Sequence, residues 1–297
     1  MKKLFAMMLS AAMMLSLASC GSKTEEPAPA PAPEASQPAP EAPAEPAIET
    51  VTEGKLTVAT SPDFAPYEFY AIAEDGTPSL AGFDIALAGY IADHMGLELE
   101  IIPMDFDGVL MEVATGKVDM GLAGLSPDPA RMDAMDFSDI YYEGGQSFVT
   151  VTANKDMFKS LEDTNKAEIS VGAQTASIQM DLANEHSPNA DIVPLVKVTD
   201  IIAELLTGKL DGAYIETAVA ESYKTNYPEL EIVLEVPYDT EGSAAGIVKG
   251  NEPLLNAVNE AIAAAIADGS MDKFVADAGE QASGTTGILV DGEIVIG

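Results

Sequence analysis

The sequence predicts an α/β protein of two similar lobes, each a mostly parallel sheet flanked by helices. Three observations predict it. First, Thr115-Gly116-Lys117-Val118-Asp119 is repeated as Thr207-Gly208-Lys209-Leu210-Asp211. Each copy follows an apolar stretch at helical spacing and leads into a short apolar run. Its glycine sits where a left-handed helix cap is needed. Second, strand-patterned and helix-patterned segments alternate along the chain, as βαβ crossovers require. Third, about 245 residues remain after the N-terminal segment, enough for two lobes of ordinary size. A single continuous sheet is the alternative that the pattern leaves open.

In chain order, residues 1–19 read as an export signal. Met1-Lys2-Lys3 is a short basic start, and 4–17 is apolar or small without charge. That run is too short and too terminal for a permanent membrane helix. Leu17-Ala18-Ser19-Cys20, followed by Gly21, reads as a lipobox. Cleavage before Cys20 and diacylation of its sulfur are expected, which would tether the chain to a membrane. The competing reading is a secretory signal with a chance cysteine. Cys20 is the only cysteine in the chain, however, so pairing within the chain cannot explain it. Residues 20–50 form a spacer. Pro27-Ala28-Pro29-Ala30-Pro31-Ala32-Pro33 favours extended polyproline II, and Glu25, Glu26, Glu34, Glu41 and Glu45 add self-repulsion. An irregular tail without a task fits the same residues.

The folded part follows. Strands are predicted at 55–60, 97–102 and 118–122, with helices at 83–95 and 108–115. Further on, strands are predicted at 168–173, 191–196 and 210–215, with helices at 177–184, 199–206 and 217–224. The formal net charge of −35 argues against nucleic acid and against direct adhesion to anionic lipid. His94 and His186 fall at predicted helix ends and are read as ordinary helix-end residues. No metal or cofactor is expected.

Ligands of open parallel sheets sit beyond the carboxyl ends of the strands. Beyond the first repeat lies Gly124-Leu125-Ser126-Pro127-Asp128-Pro129-Ala130-Arg131, and beyond the second lies Glu216. Arg131 is the only arginine in the chain. A chain that otherwise uses Lys points to a task Lys cannot do, and planar, bidentate grip on a carboxylate is one. A surface pair with Asp133 or Asp136 is the alternative. Glu216 can meet an ammonium, so the two strand ends offer opposite charges suited to a zwitterion. It can also serve simply to open the next helix. Ser177 fits an N-cap, and a helix start there offers free N–H groups.

Several stretches together resemble one family. They are Gly82-Phe83-Asp84-Ile85, Asp107-Gly108, the first repeat, and Arg131 through Asp136-Phe137-Ser138-Asp139 to Tyr141-Tyr142. In this order they are similar to the polar-amino-acid solute-binding proteins of ABC importers, bacterial extracellular solute-binding family 3. The similarity runs over residues 54–280. It implies a two-lobed periplasmic-binding-protein-like fold (type II) that closes on a ligand in the cleft between lobes. Lobe 1 would span 51–147 with a return segment at 244–280, and lobe 2 would span 148–243. Crossovers are expected near 146–151 and 240–245. Residues 281–297 run past the family's usual end and receive no role.

The resemblance also implies site roles. Arg131 matches the arginine that grips the α-carboxylate, with Ser126 and the Gly124 backbone beside it. Ser177 matches the second-lobe residue that also meets the carboxylate. Glu216 stands where Asp usually takes the ammonium and is one methylene longer. Phe64 and Phe83 match the aromatic walls, and Ser61 and Gln174 match positions that contact the side chain. Ser61 replaces an acid common in binders of basic amino acids, so a polar or neutral ligand is preferred. Ala86 replaces an acidic residue of the signature, and Ile178 offers no side-chain polarity.

The implied protein is a monomeric, non-enzymatic receptor for a free L-amino acid. It would be lipid-anchored through Cys20 on the extracytoplasmic face, a Gram-positive-type surface being preferred to a periplasm, and would deliver its ligand to an ABC permease. The alternatives are a small dehydratase-like enzyme acting on a carboxylate, and the ligand-binding subunit of a sensory system.

Overall fold

The computed structural model describes residues 48–239, 242–290 and 293–296. Cys20, the signal and most of the spacer lie outside the described residues. The elements run β1 (Lys55–Thr60), β2 (Asp63–Phe64), β3 (Glu68–Ile72), β4 (Pro78–Ala81), α1 (Phe83–Met95), β5 (Glu98–Pro103), α2 (Phe106–Ala114), β6 (Met120–Gly121) and β7 (Met135–Phe137). They continue with β8 (Gln146–Val151), β9 (Ser170–Gln174), α3 (Ile178–His186), β10 (Asp191–Leu195), α4 (Val198–Leu206), β11 (Gly212–Glu216), α5 (Thr217–Asn226) and β12 (Leu230–Val236). The chain ends with β13 (Gly246–Val248), α6 (Glu252–Ala267), α7 (Ser270–Ala282), β14 (Thr286–Val290) and β15 (Glu293–Ile296).

Two five-stranded sheets carry the lobes, in the orders β5-β1-β6-β13-β7 and β10-β9-β11-β8-β12. The two orders correspond position by position, and the repeat is the reason. In each copy the glycine turns the chain out of its helix at positive φ, 65° at Gly116 and 72° at Gly208. In each, the threonine hydroxyl bonds back to the helix, Thr115 to Met111 O at 2.7 Å and Thr207 to Ala203 O at 2.8 Å. The aspartate then ties two strands together at their starts. Asp119 Oδ2 accepts from Thr57 N at 2.7 Å, and Asp211 Oδ2 accepts from Ser170 N at 2.9 Å.

Each sheet is mostly parallel, as expected, with one reversed strand that makes it mixed. The first three strands of each order are parallel, whereas β13 pairs antiparallel with β6 and β7, and β8 pairs antiparallel with β11 and β12. The strands that break the pattern are those arriving from the other lobe, which enter the sheet from its opposite end. Gln146–Val151, expected as a crossover, is therefore an interior strand of the second sheet. The crossing segments meet just before it, where Tyr142 and Ser243 form an isolated antiparallel bridge.

Residues 281–297 include β14 and β15, which pair antiparallel. Thr286 and Gly287 of β14 also pair with Ala71 and Tyr70 of β3, so the tail extends a third sheet on lobe 1. The main core is apolar side chains under α1, α6 and α7 on one side and under α4 and α5 on the other, among them Leu87, Ile91, Ile201 and Leu205. Among the described residues no helix is long and apolar enough to cross a membrane.

Candidate functional site

Arg131 leaves the loop that follows β6 and reaches across to the second lobe. Its Nη1 donates to Ser126 O at 3.2 Å and its Nη2 to Ala176 O at 3.1 Å. Two of five guanidinium donors are thereby used, and three remain. Its Cζ lies 5.7 Å from the centre of the Phe106 ring, a cation–π arrangement. Partial burial lowers the Arg131 pKa, against the pull of Asp128 and Asp181. Ala176 adopts φ 63°, a conformation sparsely used by residues with a side chain.

Gly124 sits at φ 56°, and its N–H donates to Asp84 Oδ2 at 3.0 Å. A Cβ at Gly124 would come 2.8 Å from the Phe64 ring, so the absence of a side chain lets Phe64 lie against the loop. Ser126 is buried beside it. Ser61 donates its hydroxyl to Asp63 Oδ1 at 3.0 Å.

From lobe 2, Ser177 caps α3, with its Oγ accepting from Met180 N at 3.2 Å and donating to Gln174 O at 2.7 Å. Gln174 is buried, and its Nε2 donates to Val196 O at 3.1 Å. Glu216 closes β11 and is the N-cap of α5, where its Oε2 accepts from Val219 N at 2.8 Å. Its Oε1 faces Gly145 N at 3.4 Å, next to the crossing segment. A Cβ at Gly144 would lie 2.8 Å from that oxygen and 3.1 Å from Tyr67 Oη. Burial raises the Glu216 carboxyl to about 7, although the N–H groups of Val219 and Gly145 and the Tyr67 hydroxyl pull it down. Glu216 thus opens its helix and also presents a desolvated carboxylate at the crossover.

Phe83 lies one layer behind the other candidates. Its ring has no exposed area and packs on Tyr67 at 4.3 Å and Tyr142 at 4.9 Å. The ring that flanks Arg131 is Phe106. The signal for it was present, since Phe106 follows the carboxyl end of β5, where ligand-facing residues gather. Tyr67 was also missed. It is buried among Phe64, Phe83 and Tyr142, with its ring beside Gly124 and its hydroxyl near Glu216.

Asp63 was not singled out either. Its Oδ2 accepts from Val198 N at 2.6 Å, so a lobe 1 carboxylate caps α4 of lobe 2. Tyr223 of α5 donates to the Asp63 carbonyl at 3.1 Å, and Asn226 of α5 donates to Ala282 O of α7 at 3.0 Å. With the bond from Arg131 to Ala176, these contacts join the lobes in a closed arrangement. Burial raises Asp63 to about 6, so its charged form prevails at neutral pH. Asp63→Ala is expected to leave the α4 start without its acceptor, a loss of about 1–3 kcal/mol. The closed form would suffer, and stopped-flow fluorescence should show ligand release accelerated at least about fivefold.

His94 and His186 lie in the last turns of α1 and α3. Among the described residues, no three His, Cys, Asp or Glu side chains gather as a metal site would require.

The fold accords with the comparisons. The arginine-binding extracellular protein ArtP of Bacillus subtilis is 31% identical over 225 residues, covering 74% of this chain and 84% of that protein. The crystal structure of an amino acid ABC transporter substrate-binding protein, AbpA of Streptococcus pneumoniae, bound to L-arginine, superposes with a TM-score of 0.74. It is 34% identical and covers 77% of this chain and 96% of that one. A more distant relative is the cyclohexadienyl dehydratase of Pseudomonas aeruginosa, 24% identical over 177 residues, covering 60% of this chain and 65% of that enzyme. Residues 56–278 match the family model of bacterial extracellular solute-binding proteins, family 3, and the chain belongs to that family.

Proposed function

We propose that the protein is the extracytoplasmic substrate-binding component of an amino-acid ABC importer. The observation that carries this reading is the pairing of opposite charges at equivalent strand ends. Arg131 follows the first repeat with three donors to spare, and Glu216 follows the second as a desolvated carboxylate. The guanidinium would take the ligand α-carboxylate, with Ser126, the Gly124 backbone and the Ser177 helix start beside it. Glu216 would take the α-ammonium. Charge-assisted hydrogen bonds contribute about 1.5–3 kcal/mol each. Three or four of them, less ordering costs, suit a dissociation constant near the micromolar range, about −8 kcal/mol.

The reading is of a receptor and not of an enzyme. The relatives named above that match most of this chain are described as binding proteins. Turnover of a carboxylate panel tests the dehydratase-like alternative, which would use Glu216 as its acid. Release of product from any panel member would favour it.

For the ligand class, the first candidate is a basic L-amino acid, arginine foremost. Asp63 supports it, since this buried carboxylate stands beside Ser61, the position where an acid was lacking. So do the two relatives described with arginine. A neutral polar amino acid is the second reading, because Ser61 itself carries no charge. A thermal-shift screen of the twenty amino acids separates the two, since a ligand that binds only the native state raises its midpoint. The largest shift is expected with arginine. A larger shift with a neutral amino acid would favour the second reading.

Cys20, through a diacyl lipid, would hold the receptor near its permease, with the Pro-Ala spacer giving reach. Two acyl chains anchor firmly where one is marginal. Cys20→Ser is expected to leave the affinity unchanged and to move the protein from the membrane fraction to the medium, as read by fractionation and immunoblot. Retention in the membrane would rule out the lipid anchor.

A further inference from the structure

The floor of lobe 1 contains two acids with no exposed area, Glu68 on β3 and Asp84 on α1. Neither Glu68 oxygen has an ordinary hydrogen-bond donor, and Asp84 Oδ1 has none. The two carboxyl groups instead contact each other. Such a contact between two charged carboxylates would be strongly repulsive away from water, so one of them carries a proton. The other titratable groups acting on the pair are Asp63 on β2, Tyr67 in the turn before β3 and Tyr141 before the crossing segment, and none of these is a cation.

The proton can be assigned from the hydrogen bonds. Asp84 Oδ2 already accepts from Gly124 N at 3.0 Å and from the Tyr141 hydroxyl at 3.0 Å, as a carboxylate would. Glu68 has only the approach of the Ser61 N–H, which falls short of hydrogen-bond geometry, and burial beside Asp84 drives its pKa far up against that weak pull. The acid group is therefore Glu68, and the charge sits on Asp84.

The pair lies where the ligand loop begins. Gly124 opens the segment that carries Ser126 and Arg131. The position of Asp84 is itself tightly set. A Cβ at Gly82 would fall 2.1 Å from the Tyr67 carbonyl oxygen, so only glycine admits this approach, and Asp84 N then donates to that oxygen at 2.9 Å.

We propose that Glu68 and Asp84 act as positioning residues through one shared proton. Glu68 donates it to Asp84, and the Asp84 carboxylate holds the Gly124 N–H and so the loop that grips the ligand. The effect on binding rests on the proposed amino-acid function, whereas the proton assignment does not.

The assignment predicts an asymmetry. A glutamine at 68 keeps a donor facing Asp84, whereas an asparagine at 84 loses the charge that three donors share. Calorimetry with the ligand found in the thermal-shift screen should show Glu68→Gln within about threefold of wild type. Asp84→Asn should be weakened at least about tenfold. Infrared spectroscopy of the ligand-free protein at pH 7 gives a readout independent of binding and of the Asp84 variant's ability to fold. Glu216, raised to about 7, also contributes a protonated carboxyl at pH 7, so the spectra are compared in a Glu216→Gln background, where a carbonyl band of a protonated carboxyl is expected with Glu68 intact and should be lost in Glu68→Gln. Persistence of that band in Glu68→Gln would overturn the proposal. So would weak binding by Glu68→Gln together with intact binding by Asp84→Asn. If no amino acid binds wild type but the band behaves as stated, the functional reading fails and the proton assignment stands.

Discussion

Arg131→Ala is expected to abolish measurable amino-acid binding, with a loss of at least about a hundredfold, while the protein stays folded. The guanidinium is the one side chain placed to meet a carboxylate with two parallel donors. Removing one partner of a buried charge pair costs about 3–5 kcal/mol, which matches such a loss. The fold should survive because the internal contacts of Arg131 are two bonds to backbone carbonyls and one face of Phe106. Arg131→Lys is informative beside it. Lysine keeps the charge but not the planar fork, so most of the affinity should still be lost. Calorimetry reads the affinity and circular dichroism the fold. Near-native affinity in Arg131→Ala would show the site to be elsewhere.

Glu216 gives the second large effect, and it depends on pH. Its carboxyl is raised to about 7, from an ordinary 4.5, chiefly by burial. An ammonium binds the carboxylate, so below pH 7 the ligand must first displace a proton. Affinity should fall by up to about tenfold per pH unit below 7 and stay level just above it. The stability of the free protein runs in the opposite sense. Between about 4.5 and 7 the folded state holds more protons at this group than the unfolded state does. Its contribution to stability is thus full below about 4.5 and is lost as pH rises through 7. Glu216→Gln should weaken binding at pH 8 by about a hundredfold and flatten the acid side of the profile. A profile unchanged by that substitution would remove Glu216 from the ammonium site.

The fold was legible wherever one residue type had a single physical reason to be present. The two repeat glycines mark helix ends because both stand at positive φ, and the two repeat aspartates mark strand starts because each ties a neighbouring strand. The predicted bounds of β1 and α1 coincide with those observed for the same kind of reason, as Gly82 opens α1 and Gly96 ends it in the left-handed conformation. Pattern alone could not give strand direction. β8 coincides with an expected crossover and β13 follows the other, and only the path between lobes reverses them. Arg131 and Glu216 stood out because of chemistry and position. Phe83 and Phe106 could not be ranked by type, since both are aromatics at helix starts. What separates them is depth, with Phe83 between two tyrosines and Phe106 under the arginine. Glu68 carried no sequence signal, because a buried acid in a strand becomes visible only when its missing donors are.

The central claim is that one amino acid is held at its two ends by Arg131 and Glu216. A crystal structure of the protein with the ligand of largest thermal shift tests it most directly. The α-carboxylate is expected within hydrogen-bond distance of the Arg131 guanidinium and the α-ammonium on the Glu216 carboxylate, with the lobes closed. A ligand bound with its carboxylate away from Arg131, or outside the cleft, would contradict it.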